Sequence, residues 1–132
     1  MAYSIGDVIA ERTVHLTRES LVRYAGASGD FNPIHYRDDV AASVGLPGVL
    51  AHGMLTMGIA SSVVVAALAP QTRILDYGVR FTKPVVVDPE HGADVHVLAT
   101  IGAVDETAAR VDLKVTFGEA TVLVKAQLRI AV

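Results

Sequence analysis

Two spacings of apolar residues divide this chain. Val8, Ala10, Val14 and Leu16 alternate with Ile9, Arg12 and His15, an irregular period of two that predicts a first strand. Thr17 suits a helix N-cap with Glu19 in the first turn, and Leu21, Val22, Tyr24 and Ala25 follow at helical spacing until Gly26, Ser28 and Gly29. Asp30-Phe31-Asn32-Pro33 is a turn-forming string. Asp38 and Asp39 open a short helix through Val44, which Gly45 ends, and Leu46-Pro47-Gly48 is loop. From His52 to Leu68 the pattern predicts one long helix, apolar on nearly every side, and such a helix is expected to be buried all round. Pro70 stops it.

Beyond Pro70 the period is two. Leu75, Tyr77, Val79 and Phe81 alternate with Asp76, Gly78 and Arg80; Lys83-Pro84 breaks the run, and Val85-Val86-Val87 resumes it. After a turn at Asp88-Pro89-Glu90-His91-Gly92 come two further runs, Val95 to Ile101 and Val111 to Phe117, joined by a hairpin tip at Asp105-Glu106-Thr107. Gly118-Glu119 turns again, and Val122, Val124, Ala126, Leu128 and Ile130 complete the set. Alternation with short turns means antiparallel strands with one buried face. An apolar helix and an antiparallel sheet of about five strands are both buried if the sheet curls around the helix, so the pattern predicts an α+β two-layer domain spanning residues 1–132.

Composition sharpens this picture. The chain has 132 residues, of which 52% are apolar and 19% charged, so it can build a core without staples. The apolar excess is more than a small domain hides alone, which points to a partner subunit or an apolar ligand. Net charge is −3, with no basic stripe and few aromatics, so nucleic acid has no electrostatic footprint here. With no cysteine there are no disulfides, thiolate metal sites or Cys nucleophile. The N-terminus lacks a basic start and an apolar core, and the longest apolar stretch, Met54 to Ala69, is shorter than the ~20 residues of a membrane span. A soluble, cytoplasmic protein without membrane contact is expected.

The chemistry concentrates between the first two helices. Asp30 and His35 lie five residues apart, and Pro33 pushes Asn32 away from helical geometry. On a continuous helix five residues turn about 500°, roughly 140° off one face, but with a turn between them the two side chains can meet. A carboxylate and an imidazole in one small volume make an acid/base pair. Taken alone the spacing is better served by an Asx-turn or N-cap aspartate, the commoner use, and an ordinary loop histidine. The second piece is Ala51-His52-Gly53-Met54, at the start of the long helix. Helix N-termini carry free N–H groups and partial positive charge, and Gly53 allows a ligand to approach the backbone, as an oxyanion carbonyl requires. His52 reads as a cap or packing residue. His15 and His96 fall on the polar phase of strands and His91 in a turn; no pair has metal-ligand spacing, and no nucleophile elbow, phosphate loop or dinucleotide fingerprint is present.

Tyr24-Ala25-Gly26-Ala27-Ser28-Gly29-Asp30-Phe31-Asn32-Pro33-Ile34-His35, followed by Gly48-Val49-Leu50-Ala51-His52-Gly53-Met54, resembles the motif of the MaoC-like (R)-specific enoyl hydratases and (3R)-hydroxyacyl-ACP dehydratases. The phrase Ala51 to Gly58 looks closest to the catalytic β subunit of the dehydratases of mycolate-producing actinobacteria. The resemblance implies the hot-dog fold, one long central helix wrapped by a curled antiparallel sheet. It also implies hydration of trans-2-enoyl thioesters, or the reverse dehydration, on coenzyme A or acyl-carrier protein, in fatty-acid metabolism and without metal or other cofactor. Asp30 and His35 match the catalytic pair, and Gly53 the backbone donor to the thioester oxygen. Asn32 matches a residue that shapes the loop, and Ser61, eight residues after Gly53, a serine that orients it in some members. Family members pair as homodimers or with a related hot-dog subunit. Arg73, Arg80 and Lys83 are candidate contacts for the acyl handle. The alternatives are a subunit that only shapes the acyl channel and a hot-dog thioesterase.

Overall fold

The computed structural model describes residues 2–132. Its elements are β1 (Val8–Leu16), α1 (Arg18–Ser28), a 3₁₀ turn (Pro33–His35), α2 (Asp38–Ser43), α3 (Gly53–Ala67), β2 (Ile74–Phe81), β3 (Ala93–Val104), β4 (Ala108–Phe117) and β5 (Ala120–Ala131). The five strands form one antiparallel sheet in the order β1-β3-β4-β5-β2. The hairpins β3–β4 and β4–β5 build its centre, and the strands flanking the helical segment, β1 and β2, become its edges. The alternation seen in the sequence gives the core: Val95, Val97, Ala99 and Ile101 on β3 and Val111, Leu113 and Val115 on β4 are all buried beside α3 residues Ala60, Val63 and Val64. This is the expected α+β arrangement of helix and five-stranded sheet.

Three expectations are corrected. The helix is not buried all round: Thr56, Ala60, Val63 and Val64 are buried, but Met54 and Val65 are exposed, because the sheet reaches one side of α3 only. Val85–Val87 does not resume a strand of the sheet. It makes an isolated antiparallel bridge, Leu50 with Val86, flanked by Ala51 N–H to the Val85 carbonyl and Val87 N–H to the Val49 carbonyl, both 2.9 Å. Finally, β5 changes phase. Val122 and Leu123 are both buried, and Lys125 takes a positive φ of 47°, so a bulge shifts the inward face and leaves Val124 half-buried.

Local chemistry fixes the helices on either side of the Asp30–Asn32 loop. The Thr17 hydroxyl accepts from Ser20 N–H and the Ser20 hydroxyl from Thr17 N–H, a capping box at the start of α1. Gly29 ends α1 in the left-handed region at φ 77°, where a side chain would be strained. Arg18 then joins three segments: its Nε–H donates to the Val87 carbonyl at 2.6 Å, and its two terminal nitrogens grip Asp38 at 3.1 and 2.9 Å. The guanidinium holds the Asp38 carboxyl below the usual carboxylate range. From β2, the Tyr77 hydroxyl donates to the Met57 carbonyl of α3 at 2.6 Å, and burial pushes its pKa up to about 12. No helix among the described residues is long and apolar enough to cross a membrane.

Leu21 is the buried anchor of α1, at 1% exposure. Leu21→Ala is expected to cost about 2–5 kcal/mol of unfolding free energy, read from the denaturant midpoint at unchanged slope. A loss below about 1 kcal/mol would show that α1 is not anchored there.

Candidate active site

The loop between α1 and α2 is held by its own short polar bonds. Asp30 N–H donates to the Ser28 hydroxyl at 3.1 Å, Asn32 N–H to Asp30 Oδ1 at 3.1 Å, and Ile34 N–H to Asn32 Oδ1 at 3.2 Å. Asn32 therefore caps the 3₁₀ turn, with Pro33 as its first residue. The turn delivers His35 inward, to 8% exposure, while the Asp30 side chain stays about half exposed. Their facing atoms, Asp30 Oδ2 and His35 Nε2, stand 3.9 Å apart. That exceeds a direct hydrogen bond and leaves both free to reach a single oxygen atom lying between them.

The tautomer of His35 follows from its second contact. Nδ1 lies 2.7 Å from the Leu50 carbonyl, which can only accept, so Nδ1 carries the hydrogen. In the neutral ring the Nε2 lone pair is then the one presented toward Asp30. The same reasoning applies to His52, whose Nε2 lies 3.1 Å from the Asp30 carbonyl and must be the donor. His52 is 1% exposed, stacks on His35 with ring centroids 3.8 Å apart, and meets the Tyr24 ring edge-on at 4.8 Å. Its Nδ1 is buried without a partner. Burial pushes the His52 imidazole below its ordinary pKa, and the neighbouring His35 acts in the same direction against the Asp30 carbonyl and carboxylate.

Gly53 is the first residue of α3, and no side chain caps that end. Its amide therefore belongs to the free donors of a helix start. Gly53 also lines a cleft of about 280 Å³ together with His35, Leu50, Thr56, Phe81 and Lys83. A Cβ on Gly53 would meet the Phe81 ring at 3.0 Å, so glycine keeps this wall open. One apolar-sided space thus holds an imidazole lone pair and a helix N-terminus.

Ser61 is not brought to this cluster. Its hydroxyl donates to the Gly58 carbonyl of its own helix at 3.0 Å, and eight residues of helix separate it from Gly53, about 12 Å. Of the three candidate handle cations, Lys83 borders the cleft, whereas Arg73 precedes Ile74 at the far end of β2 from Phe81. His15 and His96 pair at the surface with Asp94 (2.7 Å) and Glu11 (2.8 Å), away from the cleft. What the linear pattern left unseen is the depth of His52 and the presence of Thr56 and Phe81 in the cleft wall. Thr56, three residues after Gly53, shares its helix face, and that spacing was the available signal.

Among the described residues, Asp30, His35 and His52 bring N and O atoms within 4.8 Å of one another, the spacing of a three-ligand metal site. The two imidazoles do not fit one ion. Their rings stack at 3.8 Å with only 20° between planes, so the remaining lone pairs run side by side and do not converge at the ~2.0–2.1 Å a metal–imidazole bond needs.

The comparisons with known proteins agree with this fold and loop. The model of the MaoC like domain matches residues 4–121. The chain is 31% identical over 130 residues to the (R)-specific enoyl-CoA hydratase of Rhodospirillum rubrum, covering 94% of this chain and 85% of that protein. It is 37% identical over 79 residues to 3-hydroxyacyl-thioester dehydratase X of Mycobacterium tuberculosis, covering 60% of this chain but only 27% of that protein. A solved MaoC-like dehydratase superimposes with a TM-score of 0.89 at 31% identity, over 97% of this chain and 40% of its own. The chain thus spans well under half of the last two proteins. With the family model matched over nearly its whole length, the chain belongs to the MaoC-like domain family.

Proposed function

We propose that this chain interconverts (3R)-hydroxyacyl and trans-2-enoyl thioesters, with Asp30 and His35 as its acid/base pair and the Gly53 amide as the donor to the thioester oxygen. The observation that carries this reading is the shared cleft. His35, with its Nε2 lone pair turned toward Asp30, and the uncapped start of α3 border the same space. The activities for which the Rhodospirillum and Mycobacterium relatives are named support it.

In hydration, a water between Asp30 and His35 gives one proton to the pair as its oxygen bonds to the β-carbon. The double-bond electrons shift to the thioester oxygen, where the Gly53 N–H and the helix end stabilise the negative charge. The α-carbon then takes a proton from the pair, and the pair returns to its starting state. Dehydration runs the same steps backward. Proton transfer contributes about 10²–10⁴-fold and one oxyanion donor about 10²–10³-fold, so each half of the site is insufficient alone. Asn32 acts through the turn it caps. The acyl handle is coenzyme A or a carrier protein, and Lys83 at the cleft border suits the phosphate of either.

The reading includes a second hot-dog subunit, identical or related, paired along β2. That strand is a sheet edge, and Ile74, Leu75 and Phe81 on it are exposed, as are Met54 and Val65 on α3. Sedimentation velocity of the purified chain, alone and with candidate partners, should show a two-subunit mass; a monomer under all conditions would remove the pairing.

Asp30→Asn and His35→Ala are each expected to lower turnover of a trans-2-enoyl thioester at least about 10²-fold with melting temperature nearly unchanged. Retention of most activity by either variant would refute the pair. Gly53→Pro isolates the oxyanion donor when compared with Gly53→Ala, which brings the same Cβ against the Phe81 ring but keeps the N–H. Proline is tolerated at the first position of a helix, and His52, at φ −59° and ψ 133°, already has the backbone that precedes proline. Loss of that one N–H should lower kcat about 10²–10³-fold while circular dichroism keeps the helix signal. An active, folded Gly53→Pro protein would place the thioester oxygen elsewhere.

A further inference from the structure

We propose that His52 is the positioning residue of this site: an imidazole that donates Nε2–H to the Asp30 carbonyl and lies beneath the His35 ring, setting the separation of the acid/base pair. The inference rests on the hydratase reading, and it concerns a buried side chain to which that reading gives no task.

His52 has almost no contact with solvent and does not border the cleft, so it is not a substrate contact. Its bond to Asp30 differs in kind from the others in the loop. The Ser28, Asp30 and Asn32 bonds each span two residues. They shape the turn but leave its placement against α3 undetermined. The His52 bond spans 22 residues and supplies that placement. His35 is tied from the same segment, through the Leu50 carbonyl. Residues 50 and 52 therefore hold the two halves of the pair separately, and the ring stack lies between the holds.

Packing alone does not account for the choice of histidine. The Nδ1 atom is buried without a hydrogen-bond partner, a cost that an apolar ring of the same size would avoid. What such a ring would lack is the donor to Asp30. The groups facing His52 are Tyr24 from α1, Asp30 from the loop and His35 from the 3₁₀ turn. A second proton would go on Nδ1, where there is no acceptor. Because the folded-state pKa of His52 is lowered, its contribution to stability is complete above the unfolded value near 6.5 and is lost as pH falls below it. The tether works with the neutral ring.

The test compares His52→Phe, which keeps a stacking ring and removes the donor, with His52→Gln, whose amide nitrogen can replace Nε2–H. Steady-state kinetics on a trans-2-enoyl thioester should show kcat reduced about 10–100-fold in His52→Phe, KM within about threefold of wild type, and most of kcat restored in His52→Gln. His52→Phe within twofold of wild-type kcat, or both variants equally impaired, overturns the proposal. Imidazole nitrogen NMR of the wild-type chain at pH 7 gives a readout that needs neither variant nor substrate. A neutral His52 protonated on Nε2 is expected, and a charged ring or the Nδ1–H tautomer overturns the tether. If wild type itself fails to hydrate enoyl thioesters, the hydratase reading falls, and the NMR result still decides whether His52 holds Asp30.

Discussion

The site depends on the backbone direction of three residues, Val49 to Ala51. In an extended segment successive peptide groups point to opposite sides. Val49 and Ala51 therefore bond to Val87 and Val85 on one side, while Leu50 turns its N–H to the Ile34 carbonyl and its own carbonyl to His35 Nδ1. The 85–87 segment, itself gripped by Arg18 at Val87, holds the backing side of this short ladder. Shifting the ladder by one residue would turn the Leu50 carbonyl away and free the His35 ring. A pairing too short to count as a strand thus decides which nitrogen of the imidazole faces Asp30.

The two halves of the proposed acid/base pair sit in unlike surroundings. His35 is buried and fixed through a carbonyl, whereas Asp30 is half exposed and fixed through its main chain and one carboxylate oxygen. In the proposed reaction an acyl chain filling the apolar cleft would displace its water. Displacing it strengthens every charge–dipole interaction inside, including the one between a developing enolate and the start of α3. The proposed reaction is thereby tied to occupancy, with the imidazole and the helix end lining the cleft and the half-exposed carboxylate 3.9 Å from that imidazole.

Much of this was legible in the linear pattern because alternation and capping are local. The β3, β4 and β5 runs, the Thr17 cap, the Gly29 stop and the start of α3 at Gly53 all follow from near neighbours in sequence. The turn that brings Asp30 and His35 together was legible through Pro33. What failed was non-local. An apolar run at 85–87 looks the same whether it enters a sheet or backs a loop, and the difference is decided by Leu50, some 36 residues earlier. The phase change at Lys125 comes from a non-glycine residue at positive φ, for which the sequence carries no marker. His52 reads as a cap or a packing residue because it precedes a helix; it makes no cap bond, and the groups it bonds to and packs against, 22 and 17 residues away, are not given by its neighbours in sequence. Ser61 shows the converse: helical spacing placed it correctly on α3, where its hydroxyl is taken up by the Gly58 carbonyl of its own helix.

The unburied side of α3 gives the apolar excess a place in the structure. A sheet of five strands covers one face of a fifteen-residue helix and no more, so an apolar sequence on all sides leaves Met54 and Val65 without cover. The same shortage appears at β2, where Leu75 and Phe81 occupy the phase that the central strands bury. The second gap borders the cleft through Phe81, which is at once the last residue of an uncovered edge strand and the ring packed over Gly53. In the proposed two-subunit assembly, a surface that pairs with β2 would lie against a wall of the candidate cleft. The proposed assembly and the proposed catalysis are thereby coupled, because one aromatic side chain belongs to both.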